Sequence, residues 1–312
     1  MTSGQFISIC TADAMARAAQ HLLSGSLVAF PTETVYGLGA DATNPEAVAR
    51  IYAAKGRPAN HPLIVHISDM HDAADWAGEI PDYAIALARN FWPGPMTLIV
   101  KKKPIAKNFI TGNQETVGLR IPAQPIALAL INEFKKLGGK GISAPSANRF
   151  GKVSPTTAEA VSEELLPYLK HLQDRILDGG PCHIGIESTI INCTTDNPEI
   201  LRLGFITKEM IEESTDKTVK ADSKNIRVSG SLDSHYAPNA KVLINKTPLK
   251  GDGLIALSSI ETPEGVVRLS SPKSNEEFAR ELYKAMRLGD TNGLKRINIQ
   301  IPESGAMHMA LK

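Results

Sequence analysis

Lys55, Arg57, His61 and His66 crowd into one short string, KGRPANHPLIVH. Two cations flanking Gly56 could clamp a polyphosphate. They could equally complement the C-terminal dipole of a helix, and spacing alone does not separate these uses. His61 and His66 stand five apart, poor geometry for a shared metal, so hydrogen-bonding roles are the simpler expectation. A second string, SAPSANRFGKVSPTT at 143–157, sets Ser146, Asn148 and Ser154 around Gly151, where a ligand could approach the backbone closely. In PTETVYGLGADA, 31–42, Thr32 and Thr34 offer hydroxyls at a strand end, while Gly37 and Gly39 read as turn residues of a strand–helix connection. GPCHIGIESTI, 180–190, is a further candidate. Arg120 and Arg202 sit on apolar runs, where arginine is rarely buried without a partner. That partner is an anionic ligand or an internal carboxylate, and both remain open. Neither GxxxxGK[ST] nor GxGxxG occurs, so a nucleotide would be held largely by side chains.

The elements that must position these residues follow from composition and rhythm. The chain has 312 residues, 42% of them hydrophobic and 21% charged, enough for a sizeable core. Thirty-four basic against 33 acidic residues leave a net charge of +1, which does not suit a protein that coats nucleic acid or anionic membrane. Three cysteines, Cys10, Cys182 and Cys193, have neither disulfide-framework nor zinc spacing. No apolar run approaches the ~18 residues of a membrane span, and MTSGQFISIC lacks a signal peptide's basic start. A cytoplasmic α/β protein without a membrane partner is expected.

Strands are predicted at 26–31, 63–67, 96–102, 117–122, 141–146, 175–178, 188–193 and 199–203, from short apolar runs bounded by turn residues. Asn44–Pro45 should cap and open a helix ending at Lys55–Gly56, and Ser154–Pro155 should open another over 155–166. Residues 1–206 thus read as one mixed α/β domain. The polar stretch 207–240 reads as a linker. From 241 to 312 the α/β rhythm returns, with strands at 241–245, 254–258, 266–269 and 296–301 and a helix at 274–288. That segment has the size of a small Rossmann-like domain.

The strings PTETVYGLGADA, KGRPANHPLIVHI, FWPGPMTLIV, VGLRIP, SAPSANRFGKVSPT, GIESTI and LRLG occur in the order seen in the Sua5/YciO/YrdC family. The later HYAP and the following α/β segment resemble its two-domain Sua5 branch. The resemblance implies a twisted, open mixed sheet with a concave cationic cavity, and a nucleotidyltransferase activity. L-threonine, bicarbonate or CO2, and ATP would become threonylcarbamoyl-AMP and pyrophosphate, with Mg2+ accompanying ATP and no tightly bound organic cofactor. The product would pass to a separate transferase complex that builds N6-threonylcarbamoyladenosine at tRNA adenosine 37, and weak tRNA contact is conceivable.

Position by position, the resemblance places the catalytic KxR and SxN residues at Lys55, Arg57, Ser146 and Asn148. It assigns ATP contacts to Arg57, His61, Thr116, Ser146, Ser154, Arg202 and Tyr236. It assigns threonine contacts to Thr34, His66, Arg120, Ser188 and the backbone around Ala144. The resemblance leaves the metal ligands unassigned. Arg120 is expected to grip the threonine carboxylate with both prongs of its fork. Ser229, Gly230 and Ser231 stand where many relatives have Pro-Gly-Met, and segment 227–238 is expected to form a lid. Two rivals differ in class. A ribosome- or RNA-binding module lacks support from an aromatic-interleaved basic stripe, and a hydrogenase-maturation role normally travels with CxxC pairs that this chain does not have.

Overall fold

The computed structural model describes residues 6–220, 226–230 and 237–302. The first part of the chain runs β1 (Ile7–Ile9), α1 (Ala12–Leu23), β2 (Val28–Phe30), β3 (Gly37–Asp41), α2 (Pro45–Lys55), β4 (Ile64–His66), α3 (Met70–Trp76) and α4 (Asp82–Phe91). It continues through β5 (Met96–Lys101), α5 (Asn108–Thr111), β6 (Thr116–Arg120), α6 (Pro125–Lys136), β7 (Ile142–Ser143), α7 (Ala158–Leu165), β8 (Arg175–Asp178), β9 (Thr189–Asn192) and β10 (Glu199–Arg202). These ten strands form one mixed sheet in the order β1-β8-β2-β3-β7-β4-β6-β5-β9-β10. The fold class is as the sequence indicates.

Local chemistry sets the ends of α2. Asn44 Oδ1 accepts from the Ala47 amide at 3.0 Å, Pro45 occupies the first turn, and Gly56 ends the helix with φ +61°. The central strands are buried on both faces. In β2, Val28 and Phe30 pack against α1 and α6, while Ala29 joins the larger cluster on the other face around Tyr36, Ile51 and Trp76. β4 and β6 run parallel with His66 opposite Arg120, so both site candidates emerge at the same strand ends.

Three readings of the sequence need correction. Residues 37–41 are not a turn but strand β3, paired with β2 and β7. A Cβ on Gly39 would lie 2.8 Å from Phe30 Cε1, 2.9 Å from Ile142 Cγ2 and 3.0 Å from the Val28 oxygen, so glycine here serves close strand packing. Helix α7 begins at Ala158 with Thr157 as its cap, because the Ser154 hydroxyl is engaged elsewhere. The stretch read as linker holds a helix, α8 (Lys208–Thr215), capped by Thr207.

The second sheet is all parallel, β11 (Lys241–Ile244), β14 (Arg296–Ile299), β12 (Gly253–Ile255) and β13 (Val267–Ser270) in spatial order, with α9 (Asn275–Thr291) against it. This is the expected small α/β unit. It does not hang free. Val35, Val153 and Ile186 from the first unit share one apolar cluster with Phe278, Leu282, Tyr283 and Met286 of α9. Gly185, at φ +77°, lets the 184–186 turn approach α9, since a Cβ there would fall 2.5 Å from Arg280 Cα.

Overpacking should make the β3 correction measurable. Gly39→Ala is expected to cost about 1–3 kcal/mol of unfolding free energy, read from denaturant midpoints, whereas a turn glycine with open space would tolerate alanine.

Candidate active site

A cleft opens where β4 and β6 end, with His66 and Arg120 in its wall. It is lined by Thr34, His66, Arg120, Ala144, Ser146, Ser188 and Arg202, so all five threonine candidates and two of the ATP candidates converge. The lining also includes Glu187 and Ser229. A second, shallow cleft shares Pro62, Leu63, Ile64 and Ser229 with the first and contains Thr116. Its remaining walls include Ile99, Val117, Ile190 and Val228, an apolar setting suited to a flat ring.

Both arginines in the cleft are compensated by carboxylates that the sequence reading did not single out. Arg120 is 4% exposed. Its Nη2 donates to Glu33 Oε1 at 2.6 Å and Thr34 Oγ1 at 2.9 Å, and its Nε donates to the Gly94 carbonyl at 3.2 Å. Glu33 Oε2 is held in turn by the Ala123 amide. Glu33 and Thr34 thus take Nη2 and Gly94 takes Nε, while the bonds described here leave Nη1 of the fork unused. Arg202 donates through Nε and Nη2 to the Ser188 carbonyl, through Nη2 to Ser188 Oγ, and through Nη1 to the Ser229 carbonyl. Glu187 Oε2 lies 3.6 Å from Arg202 Nη2, and Glu187 Oε1 accepts from the Ser154 hydroxyl at 2.7 Å. Ser154 is fully buried, lines neither cleft, and donates its hydroxyl to Glu187.

His66 is buried, and burial first, then the charge of Arg120, push its imidazole pKa down to about 3. It is neutral at physiological pH, edge-on to Phe30, with Nδ1 lacking a hydrogen-bond partner among the described residues. A buried polar atom left in that state costs free energy unless a ligand answers it.

Lys55 departs from expectation. It is 1% exposed, and its Nζ donates to the carbonyls of Ser146 and Asn148, each at 2.5 Å. The amine fixes the SxN loop from behind and does not line the cleft. Burial, followed by repulsion from Arg57, lowers its pKa to about 7. A neutral amine still has the two protons these carbonyls take. Asn148 likewise points inward, donating to the carbonyls of Arg149 and Lys152. Arg57 donates to the Pro62 carbonyl at 2.9 Å and to Ser229 Oγ at 3.3 Å, and its guanidinium lies 5.9 Å from the Phe150 ring centroid. His61 packs edge-on to the same ring at 5.3 Å, outside both clefts, with its pKa lowered by burial and then by Arg57. Tyr236 and the rest of 231–236 lie outside the described residues.

Segment 226–230 crosses the site. Val228 is buried against Ile99, Ile190 and Leu201, and Ser229 bridges Arg57 and Arg202. Ser229 drew notice only as a departure from the family pattern, yet it touches both cationic groups. Cys182 and Cys193 are buried, and desolvation raises their thiol pKa values, which suits packing and not nucleophilic attack. Among the described residues there is no group of three or more His, Cys, Asp or Glu that could hold a metal ion, and no helix long and apolar enough to cross a membrane.

An open mixed sheet with two arginines and several hydroxyls around one cleft at its strand ends, joined to a small parallel-sheet domain, defines a two-domain α/β protein. Residues 20–204 match the family described as Sua5_yciO_yrdC, telomere recombination, and residues 206–312 match the threonylcarbamoyl-AMP synthase C-terminal domain. The chain belongs to the Sua5/YciO/YrdC family, in its two-domain Sua5 branch. It is 41% identical to the threonylcarbamoyl-AMP synthase of Bacillus subtilis, covering 93% of this chain and 87% of that one. It is 40% identical to the synthase of Pyrococcus abyssi, covering 94% and 90%. The crystal structure of P. abyssi Sua5 complexed with L-threonine superposes with a TM-score of 0.84 over 98% of this chain and 94% of that one, at 36% identity.

The buried amine gives a pH signature with a definite sign. The folded pKa of Lys55, about 7, lies below its ordinary 10.5, so the unfolded chain binds more protons between those values. The contribution of Lys55 to stability therefore increases as pH rises through that window. Lys55→Met should remove this increment, measured as the difference in unfolding free energy between the two proteins at pH 7 and pH 10.

Proposed function

We infer that this chain is a threonylcarbamoyl-AMP synthase, a nucleotidyltransferase that joins L-threonine, bicarbonate or CO2, and ATP and releases pyrophosphate. The observation that carries this reading is the first cleft. It brings together one arginine nitrogen, several hydroxyls, a neutral imidazole and a single lining carboxylate, the donor and acceptor types that an amino acid with a side-chain hydroxyl would need. Near-full-length identity of about 40% to synthases so named supports it.

In this reading Arg120 Nη1 takes the threonine carboxylate, while Glu33 keeps the guanidinium from turning. Thr34, Ser188 and His66 Nδ1 answer the amino and hydroxyl groups. Such a pocket rejects valine strongly, because its own buried polar atoms would stay unpaired, and rejects serine less, since only a methyl is lost. The base occupies the apolar second cleft beside Thr116, and the phosphates run toward Arg57 and Arg202. The threonine amine adds to CO2 with loss of a proton, or to bicarbonate with loss of water, and the resulting carbamate oxygen attacks the α-phosphate as the bond to pyrophosphate breaks. The protein positions the reactants and stabilises spreading charge, with no covalent nucleophile required. Mg2+ would enter on the ATP phosphates and neutralise charge there, the usual habit of an ion that keeps few protein ligands. Segment 226–230 helps exclude water, which would destroy both carbamate and mixed anhydride. The product is an activated acyl group, and its transfer to tRNA by a separate enzyme is what the family resemblance implies.

Pyrophosphate release from ATP, with threonine and bicarbonate each omitted in turn, tests the reading. Release should require both, and equal release without threonine would refute it. Arg57→Ala should reduce turnover about a hundredfold, the loss expected when one transition-state charge donor is removed. Arg120→Ala should raise the requirement for threonine far more than that for ATP, measured as the two KM values, and the reverse ratio would move Arg120 to the nucleotide side.

A further inference from the structure

Loop 149–154 lies between the SxN residues and Glu187, and it is gripped from outside the catalytic sheet. The Arg149 amide donates to Glu164 Oε1 at 2.7 Å, and the Phe150 amide donates to the Lys55 carbonyl at 2.8 Å. Arg287, on α9 of the second unit, sends Nη2 both to Glu164 Oε2, at 2.5 Å, and to the Val153 carbonyl. Three residues further along α9, Asp290 accepts from the amides of Asn239 and Ala240 at 2.8 and 2.9 Å. The same linker exit returns to the loop, because the Ala237 amide donates to the Gly151 carbonyl at 3.1 Å and Lys152 Nζ reaches Asn239 Oδ1 at 2.5 Å. One face of α9 thus holds the loop through Arg287 and the linker through Asp290, and the two held segments also hold each other.

The loop carries Phe150, the ring against which Arg57 and His61 pack. Its far end carries Ser154, which donates to Glu187. Of the threonine-side residues, His66 and Arg120 stand on β4 and β6 and make no contact with this loop among the bonds described above, and Ser188 reaches it only at third hand, through Arg202, Glu187 and Ser154. We propose that Arg287 is a positioning residue: it fixes loop 149–154 from the second domain, and through Phe150 it sets Arg57 for the nucleotide. The inference rests on the synthase reading for its substrate, and it makes the second domain a working part of the nucleotide side. Glu164 is the relay, since one oxygen takes the loop amide and the other takes Arg287. The pair is partly buried, at 20% and 14% side-chain exposure, so it is less screened than a surface ion pair.

The test is calorimetric titration of ATP and of L-threonine, separately, into wild type, Arg287→Met, Arg287→Lys and Glu164→Gln. Cutting one partly buried contact in a coupled network should weaken ATP binding roughly tenfold in Arg287→Met and leave threonine binding within about twofold of wild type. Arg287→Lys keeps the charge but not the fork and should fall between them. Glu164→Gln cuts the same link from the catalytic side and should repeat the ATP-selective loss if Arg287→Met does not fold. Equal weakening of both ligands, or unchanged ATP affinity despite a lower melting temperature, would overturn the proposal and leave Arg287 a clasp between domains. These titrations do not depend on turnover. Failure of the synthase reading would appear instead as threonine-independent pyrophosphate release by wild type.

Discussion

A guanidinium buried at the end of β6 must be neutralised, and Glu33 does this for Arg120. Removing one partner of a buried pair typically costs about 3–5 kcal/mol, because the other charge is left unpaired. That constraint organises much of the cleft. Glu33 stands in the loop after β2, so the pair ties the β6 end to the 31–36 loop and places Thr34 against the same Nη2. The Ala123 amide holds the second carboxylate oxygen and fixes the entry to α6. Arg202 repeats the arrangement with Glu187 on the other wall. Each wall therefore carries a compensated arginine, oriented before any ligand arrives. Preorganised charge of this kind needs no reorganisation at the moment of reaction.

Much of this was legible in the sequence, for particular physical reasons. Strands such as β5 and β9 announce themselves as short apolar runs, and α2 carries cap, proline and terminal glycine in plain order. β3 was hidden because Gly37 and Gly39 read as turn residues, whereas Phe30 and Ile142 press where a Cβ would stand. Ser154 looked like a helix cap for the same kind of reason: a hydroxyl before proline fits that role until Glu187 claims it. The threonine set comes from the family resemblance that the quoted strings carry, and the structure brings its members to one cleft. Glu33 and Glu187 lie inside those same strings, and the rule that a buried arginine needs a partner was the available signal. Which carboxylate pairs with which arginine depends on sheet order, and local sequence does not carry sheet order. Lys55 shows the limit most clearly. Its spacing from Arg57 leaves a shared polyphosphate clamp and a helix-dipole role open, and α2 instead turns its amine inward onto two carbonyls.

The two units of the chain meet through chemistry of two kinds. Val35, Val153 and Ile186 bury apolar surface against α9, which gives attraction without direction. Arg287 and Asp290 add direction by taking backbone groups of the loop and the linker. On the opposite side of the site, Val228 anchors the crossing segment and Ser229 links Arg57 to Arg202. A concave sheet cannot cover its own face. Here the cover is supplied by chain that leaves the sheet domain, crosses the cleft and is pinned again at its exit.

The central claim is that the Glu33–Arg120 pair persists while its remaining nitrogen receives the amino-acid carboxylate. The most direct measurement is a crystal structure of this chain with L-threonine bound. The account predicts the carboxylate within hydrogen-bond distance of Arg120 Nη1, the Arg120–Glu33 contact intact, and His66 Nδ1 newly partnered. A carboxylate held elsewhere, or an Arg120 swung away from Glu33 to meet it with both prongs, would contradict the account.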